Sequence, residues 1–564
     1  MIDYEPLNTS GRRTGAMGPL TTWALVIAAL AIGLAVVQFA LVQRDYVTAW
    51  TFAKPVSLVE LAQETGRLSF GPFEAPEPWI EETYEAHSRR WGTTVLFVAL
   101  SDITGAEVQD LAWASPLGVA PFLLALLFLF SRLGWAKPSV RAAFALAALG
   151  FVLNYQMIIW FYHGGGWPGT SLAFLMIGAL FAFETTSRGR WVYAAAAIAF
   201  LLLQFPIYHS TAVISFMLLA ILAVYALLLR LATALRAPAS PAHQQIRRRF
   251  DHYSNLAIIG SAMVFIDPIF GFMLEGLGPI VQSPGSTFSN FFVSYFEGDN
   301  FFNPNFTGFE FGTRVALMAP LLYMLVAATL LWLWDVYRFL RAGETAEGQL
   351  VAHALYLTAV VTMASSLMFG GSPRATEPYF FVILAFPLLL FRPWRTLRPG
   401  PRVSGGRAVL ALGVVLVTAG SLVVVLRDPY TSQADTTATE AAAGRWAARN
   451  VDIGYFADAK LANIALIEDP ETPVLAPLVN AITIRELEDV FYAGPAALAE
   501  GLRARGARLA LLSERNIEGH GHAKPALFMI NEPIRALPDY NFQAAGFGTV
   551  YDNGAERVLL FPEP

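Results

Sequence analysis

Apolar runs of 13 to 24 residues recur along the chain, separated by short polar segments, and organise it from residue 19 to residue 426. A hydrocarbon core of about 30 Å is crossed by about 20 helical residues. The runs at 19–42, 111–130, 140–161, 169–183, 191–205, 207–229, 256–274, 315–334, 351–369, 379–391 and 408–426 therefore predict about eleven transmembrane helices. Several are shorter than that ideal, so one or two could be half-helices lining a cavity. The stretch 93–100 is too short to cross and predicts a helix that lies at the interface or re-enters the membrane.

After residue 426 the pattern changes to short alternating and amphipathic segments. Residues 440–450 have helical periodicity, 454–457 and 474–475 look like strand starts, and 495–505 predicts a helix closed by Gly506 before a strand at 507–512. Residues 547–551 and 557–561 flank Asp552-Asn553-Gly554 and predict a hairpin. The fold class that follows is a polytopic α-helical membrane protein with a small C-terminal extracytoplasmic α/β domain, divided as 1–427 and 428–564. No internal repeat at a fixed period is found, unlike the duplicated halves common in transporters.

Arginine orients the helices. Arg132 and Lys137, Arg188 and Arg190, Arg230, Arg236 and Arg247 to Arg249, Arg338 and Arg341, and Arg392 to Arg407 follow alternate apolar runs. The loops between them, around His163, His209 and Gly370, hold only Arg374. Cytoplasmic loops keep their basic residues, which places the arginine-rich set inside. The N-terminus is then cytoplasmic, and the long first loop 44–91 and the segment 428–564 lie outside. The run at 19–42 follows Arg12 and Arg13 without a small-residue cleavage site and reads as an anchor.

Composition agrees, with 55% hydrophobic and 14% charged residues and a mean hydropathy of +0.49. The absence of cysteine excludes disulfides, thiol catalysis and thiolate metal sites. Arginine outnumbers lysine 34 to 4, read as genomic bias. Residues 428–564 carry 19 acidic against 11 basic side chains, which argues against nucleic acid as the partner of the outer part. A second outer loop, 275–313, lacks basic residues and holds ten aromatics, which favour the headgroup level.

Chemistry-bearing residues concentrate in the outer loops. Asp45, three residues past the first run, is either a general base held at a helix end or a solvated juxtamembrane charge. Asp267, before Pro268, lies within an apolar run, where a carboxylate faces a cavity or satisfies a helix break. Arg374, in Gly370-Gly371-Ser372-Pro373-Arg374, either grips a phosphate bidentately or snorkels to the interface, and Arg314 is a second candidate cation. His163 and His209, with His87, share the outer face and could line one cavity. His520 and His522 are a weak suggestion of a metal site, and Asn305-Phe306-Thr307 fits a glycosylation acceptor. No phosphate-cradling glycine motif, nucleophile elbow or HExxH pattern is present.

The order of these parts resembles the C superfamily of membrane glycosyltransferases, whose relatives include protein O-mannosyltransferases and aminoarabinose transferases. The likeness rests on one run, a long outer loop with an acid just past the membrane, and an interfacial segment leading to Ser101-Asp102-Ile103-Thr104-Gly105. Many further runs and an outer C-terminal segment follow. Tyr208-His209-Ser210-Thr211-Ala212, residues 441–451 and Val550-Tyr551-Asp552-Asn553-Gly554 resemble uncharacterised prokaryotic, especially archaeal, members. The resemblance implies a polyprenyl-phosphate sugar donor, a glycan, lipid or protein acceptor, and Asp45 as base; no cofactor is fixed by the sequence, a divalent metal being the candidate. The family often pairs two acids there, whereas Asp45 precedes Tyr46, so Glu81, Glu82 and Glu85 stand as substitutes. A transporter or flippase of lipid-linked glycans and a non-catalytic scaffold are the alternatives.

Overall fold

The computed structural model describes residues 63, 91–106, 118–135, 137–154, 166–185, 189–236, 241–264, 311–342, 348–368, 377–392, 405–427, 438–457, 459–469, 472–475, 494–513 and 542–562. Among the described residues up to 427 there are ten helices: α1 (Trp91–Thr104), α2 (Val119–Ser131), α3 (Pro138–Leu153), α4 (Gly166–Thr185), α5 (Arg190–Arg236), α6 (Pro241–Val264), α7 (Phe311–Ala342), α8 (Gln349–Met368), α9 (Glu377–Phe391) and α10 (Gly405–Arg427). Among the described residues five helical stretches are long and apolar enough to cross a membrane, and five shorter apolar helices accompany them. The expected run at 19–42 lies outside the described residues.

Helix α9 is the centre of the bundle. From Phe380 to Arg392 every residue is buried, because α8, α7 and α3 cover it on all sides. Its sequence has no polar side chain after Glu377 and Tyr379, as a helix enclosed all round requires. Helix α10, by contrast, touches α7 and α3 along one face and presents Val409, Leu412 and Leu416 outward. Exposed aliphatic columns of this kind suit a lipid environment. Thr358 and Thr362 lie inside the bundle and donate to backbone oxygens one turn earlier, at 2.7 and 2.6 Å, so their hydroxyls carry no unmet bond.

The 47 residues of α5 would measure about 70 Å as a straight rod. They do not form one. The Ser215 hydroxyl donates to Gln204 Oε1 at 2.8 Å, although eleven residues of helix would part them by about 16 Å along the axis. The chain therefore bends back sharply between these residues, next to Pro206, which breaks the helical hydrogen-bond ladder. Its two limbs, Arg190–Ile207 and Thr211–Arg236, correspond to the expected helices 191–205 and 207–229. Their connection is helical and not the open loop expected around His209.

Other boundaries also shift. Helix α1 runs to Thr104 and takes in the segment expected to end at residue 100. Helix α3 stops at Leu153, where Asn154 turns extended, well short of residue 161. Helix α7 continues past the expected end at Trp334 to Ala342, where Phe339 and Leu340 keep an apolar face on the bundle. The arginine-rich connection after Leu229 is an α5–α6 hairpin and not a loop.

The C-terminal region holds α11 (Ala438–Asn450), β1 (Tyr455–Ala457), α12 (Ala459–Glu468), β2 (Val474–Leu475), α13 (Pro495–Arg503), β3 (Leu509–Ser513), β4 (Gly548–Asp552) and β5 (Glu556–Leu560). The sheet order is β2-β1-β3-β5-β4, parallel across the first three strands and antiparallel at β3–β5–β4. Gly554, at φ +92°, closes the β4–β5 turn, and Asp552 accepts its N–H at 2.8 Å. The sheet and α11–α12 enclose a core of Ala443, Ala447, Tyr455, Leu461, Ile464, Leu509, Leu511 and Val558.

Candidate functional site

Asp45, Glu81, Glu82, Glu85, His87, His163, Asp267, Asn305, Arg374, His520 and His522 lie outside the described residues. His209 belongs to the helical bend of α5, and Arg314 to the first turn of α7.

The frame around the expected outer site is clear. Gly92, in the first turn of α1, rests against Pro206 and Ile207, and a β-carbon there would stand 3.0 Å from the Pro206 carbonyl. The missing side chain lets α1 dock on the bend of α5. At its other end α1 carries Ser101-Asp102-Ile103-Thr104-Gly105. Gly105 adopts φ +67° and donates its N–H to Ser101 O at 2.7 Å, which ends the helix. The Ser101 hydroxyl donates to Ala106 O at 2.8 Å, and the Thr104 hydroxyl to Leu100 O at 2.6 Å. Gln63, within the first long loop, donates to Ser101 Oγ at 3.1 Å and reaches Asp102 Oδ1 at 3.5 Å. The loop that carries the candidate acids is thus tied to the motif at the end of α1. Asp102 is exposed there and is itself an acid within reach of solvent.

Two buried ionic clusters escaped the sequence reading, which singled out Asp267 as the deep carboxylate. In the first, Asp335 of α7 receives Arg392 through Nη2 at 2.7 Å and Nε at 3.2 Å. His353 of α8 stands 3.8 Å from the same carboxylate, and its Nδ1 pairs with the Tyr225 hydroxyl of α5 at 2.8 Å. Four helices meet at this point. Arg392 has φ +47°, the one positive value outside glycine among the described residues. A signal was available: Asp335 and Arg392 each stand one residue beyond an apolar run, where opposite charges on neighbouring helices can meet.

The second cluster joins Glu184 of α4 to Arg249 of α6 at 3.0 Å, both buried. Burial, with Glu184 beside it, raises the Tyr253 hydroxyl well above its usual range. Arg190 contacts His252 at 2.8 Å, and burial first, then that guanidinium, holds the imidazole below its ordinary value. Among the described residues no group of three His, Asp or Glu side chains is placed to hold a metal ion.

No family profile and no curated protein matches the chain. Solved structures do. The archaeal oligosaccharyltransferase AglB from Archaeoglobus fulgidus, in complex with an inhibitory peptide and a dolichol-phosphate, aligns over 96% of this chain and 75% of its own, at TM-score 0.50 and 13% identity. The chain shares the fold of this archaeal enzyme. The same archaeal enzyme tethered to an acceptor peptide aligns over 96% of this chain and 74% of its own, at TM-score 0.50 and 12% identity. ArnT from Cupriavidus metallidurans, bound to undecaprenyl phosphate, aligns over 96% and 99% of the two chains, at TM-score 0.48 and 12% identity. At these identities the likeness is one of fold and assigns no residue a role.

Proposed function

We propose that the protein is a glycosyltransferase that moves a sugar from a polyprenyl-phosphate donor to a glycan, lipid or protein acceptor at the outer membrane face. The observation that carries this reading is the fold it shares, over 96% of its length, with an enzyme that holds dolichol-phosphate and a peptide. The tether from Gln63 to Ser101 and Asp102 supports it, because it brings the first long loop to the end of α1. The proposed topology has eleven crossings in 1–427, a cytoplasmic N-terminus and an extracytoplasmic segment 428–564, resting on the distribution of arginine.

In the proposed reaction Asp45 takes the proton of an acceptor hydroxyl as its oxygen attacks the anomeric carbon. The bond from that carbon to the phosphate oxygen breaks, and the electron pair leaves with the polyprenyl phosphate. Arg374, with Arg314 as a second cation, stabilises the charge that develops there, where a fixed guanidinium contributes most. Purified full-length protein should transfer labelled sugar from a polyprenyl-phosphate donor. Asp45→Asn should abolish turnover with expression intact, and Arg374→Lys should weaken donor binding, since lysine lacks the planar fork. Translocation of the donor across vesicles without turnover would identify a flippase instead, and near-normal rates in both variants would place the site elsewhere.

A further inference from the structure

The α5–α6 hairpin carries a charged surface that the proposed transfer does not use. Five arginines lie on α6 and the second limb of α5, and two of them are engaged. Arg249 turns inward to Glu184, and Arg230 reaches Asp251 at 3.8 Å while lying over the Phe250 ring. Arg236, Arg247 and Arg248 are exposed and form no ion pair with a described residue. Around Arg247 and Arg248, α6 shows Gln244, Gln245, Asp251 and Asn255 to the outside and buries Ile246, Tyr253 and Leu256. Its outward face turns apolar at Ile258 and Ile259.

The facing limb of α5 has the opposite character. Val224, Leu228, Leu231 and Leu235 follow one another at helical spacing, all exposed, and Leu235 reaches 89% exposure just before Arg236. The bond between Thr233 and His243 Nδ1, at 3.1 Å, sets the register of the two limbs. Counting from it along antiparallel helices places Arg247 and Arg248 level with residues 229 and 228. Exposed guanidinium groups and an exposed leucine column therefore stand at one height. That juxtaposition is the profile of a phospholipid, with acyl chain against leucine and phosphate beside arginine.

We propose that this hairpin binds the phosphate headgroups of anionic phospholipids in the leaflet it contacts, through Arg247 and Arg248 with Arg236 at the rim. The forked guanidinium suits a phosphate oxygen pair. A soluble polyanion would leave the leucine column unexplained, which is why a lipid is the favoured occupant.

The test uses full-length protein stripped of lipid in mild detergent and titrated with phosphatidylglycerol or phosphatidylcholine, with bound lipid counted by native mass spectrometry. Wild-type protein should prefer phosphatidylglycerol. At about fivefold per arginine near a surface, Arg247→Gln with Arg248→Gln should reduce that preference roughly 25-fold, and lysine at both positions should keep most of it. Arg338→Gln with Arg341→Gln, on the exposed end of α7, should change it little. An unchanged preference in the 247/248 glutamine variant would overturn the proposal. So would an equal loss in the 338/341 variant, which would reduce the effect to net charge. A heparin fragment that binds this surface as tightly as phosphatidylglycerol would also overturn it, since it has nothing for the leucines to hold.

Discussion

Asp335→Asn removes one charge from a place where water cannot replace it. Its carboxylate has no exposed surface and the Arg392 side chain only 5%, so their contacts at 2.7 and 3.2 Å are made in a dry interior. Breaking such a pair by removing one member costs about 3–5 kcal/mol, because the partner stays buried and uncompensated. Asp335→Leu together with Arg392→Met removes both charges at similar volume and should restore most of that loss. The backbone supplies an independent check. Arg392 sits at φ +47°, where a residue with a β-carbon is strained by about 1 kcal/mol and glycine is not. Arg392→Gly should therefore be milder than Arg392→Ala by about that amount, although both delete the guanidinium. Unfolding in detergent can be followed by intrinsic fluorescence, since the chain has 13 tryptophans, whereas thiol-reactive dyes have no cysteine to report on. If the apolar pair is as unstable as Asp335→Asn, or if Asp335→Asn unfolds with the wild type, the ion pair does not hold these helices as argued.

Gln204 and Ser215 are both fully buried, so Gln204→Leu should orphan the Ser215 hydroxyl and cost about 1–3 kcal/mol; an unchanged unfolding midpoint would show that the bend of α5 does not depend on this bond. His252 titrates below its ordinary value in the folded chain, so the unfolded chain takes up the proton first as pH falls. Stability present above about pH 6.5 should decline below it, and His252→Gln should flatten the decline; an identical pH profile in that variant would remove His252 as the cause. The segment 431–564, expressed alone, should be soluble and melt cooperatively by circular dichroism, because its sheet and α11–α12 close their own core. A fragment without a thermal transition would show that this core needs the helical bundle.

Apolar periodicity located most of the described helices, missed the polar first half of α6, and placed helix ends poorly, for a physical reason. Lipid or protein contact demands apolar side chains, which the sequence displays, whereas a helix end depends on local bonds that it does not. Helix α7 passes Trp334 because Asp335 has a partner on another helix, and such a partner cannot be seen from residue 335 alone. The same blindness affected the bend in α5. Pro206 announced a break, but the Gln204–Ser215 bond that folds the limbs together joins two residues of ordinary appearance. In the C-terminal region the hairpin at Asp552-Asn553-Gly554 was legible because its turn chemistry is local. Helix α12 was not, since its short apolar run at 459–468 resembles a strand as easily as a helix. Of the candidate site, the chain shows the frame and not the chemistry: α1, its Gly105 cap and the Gln63 tether are placed, and Asp45 and Arg374 rest on the proposal.

The two ends of the bundle hold together by different physics. Tyr225 lies fourteen residues beyond Thr211, where the second limb of α5 begins, about 21 Å along a helix. At the Tyr225 end the contacts are ionic and buried, with Asp335–Arg392 and Glu184–Arg249 each joining separate helices. Around Pro206 the polar contacts include the neutral Gln204–Ser215 bond and the Gln63–Ser101–Ala106 chain, with Asp102 at the limit of Gln63's reach. Neutral bonds contribute about 1 kcal/mol each, several-fold less than the cost of breaking a buried ion pair. Among the described residues the buried ion pairs thus stand away from the bend of α5, and a disturbance at the bend would leave them intact.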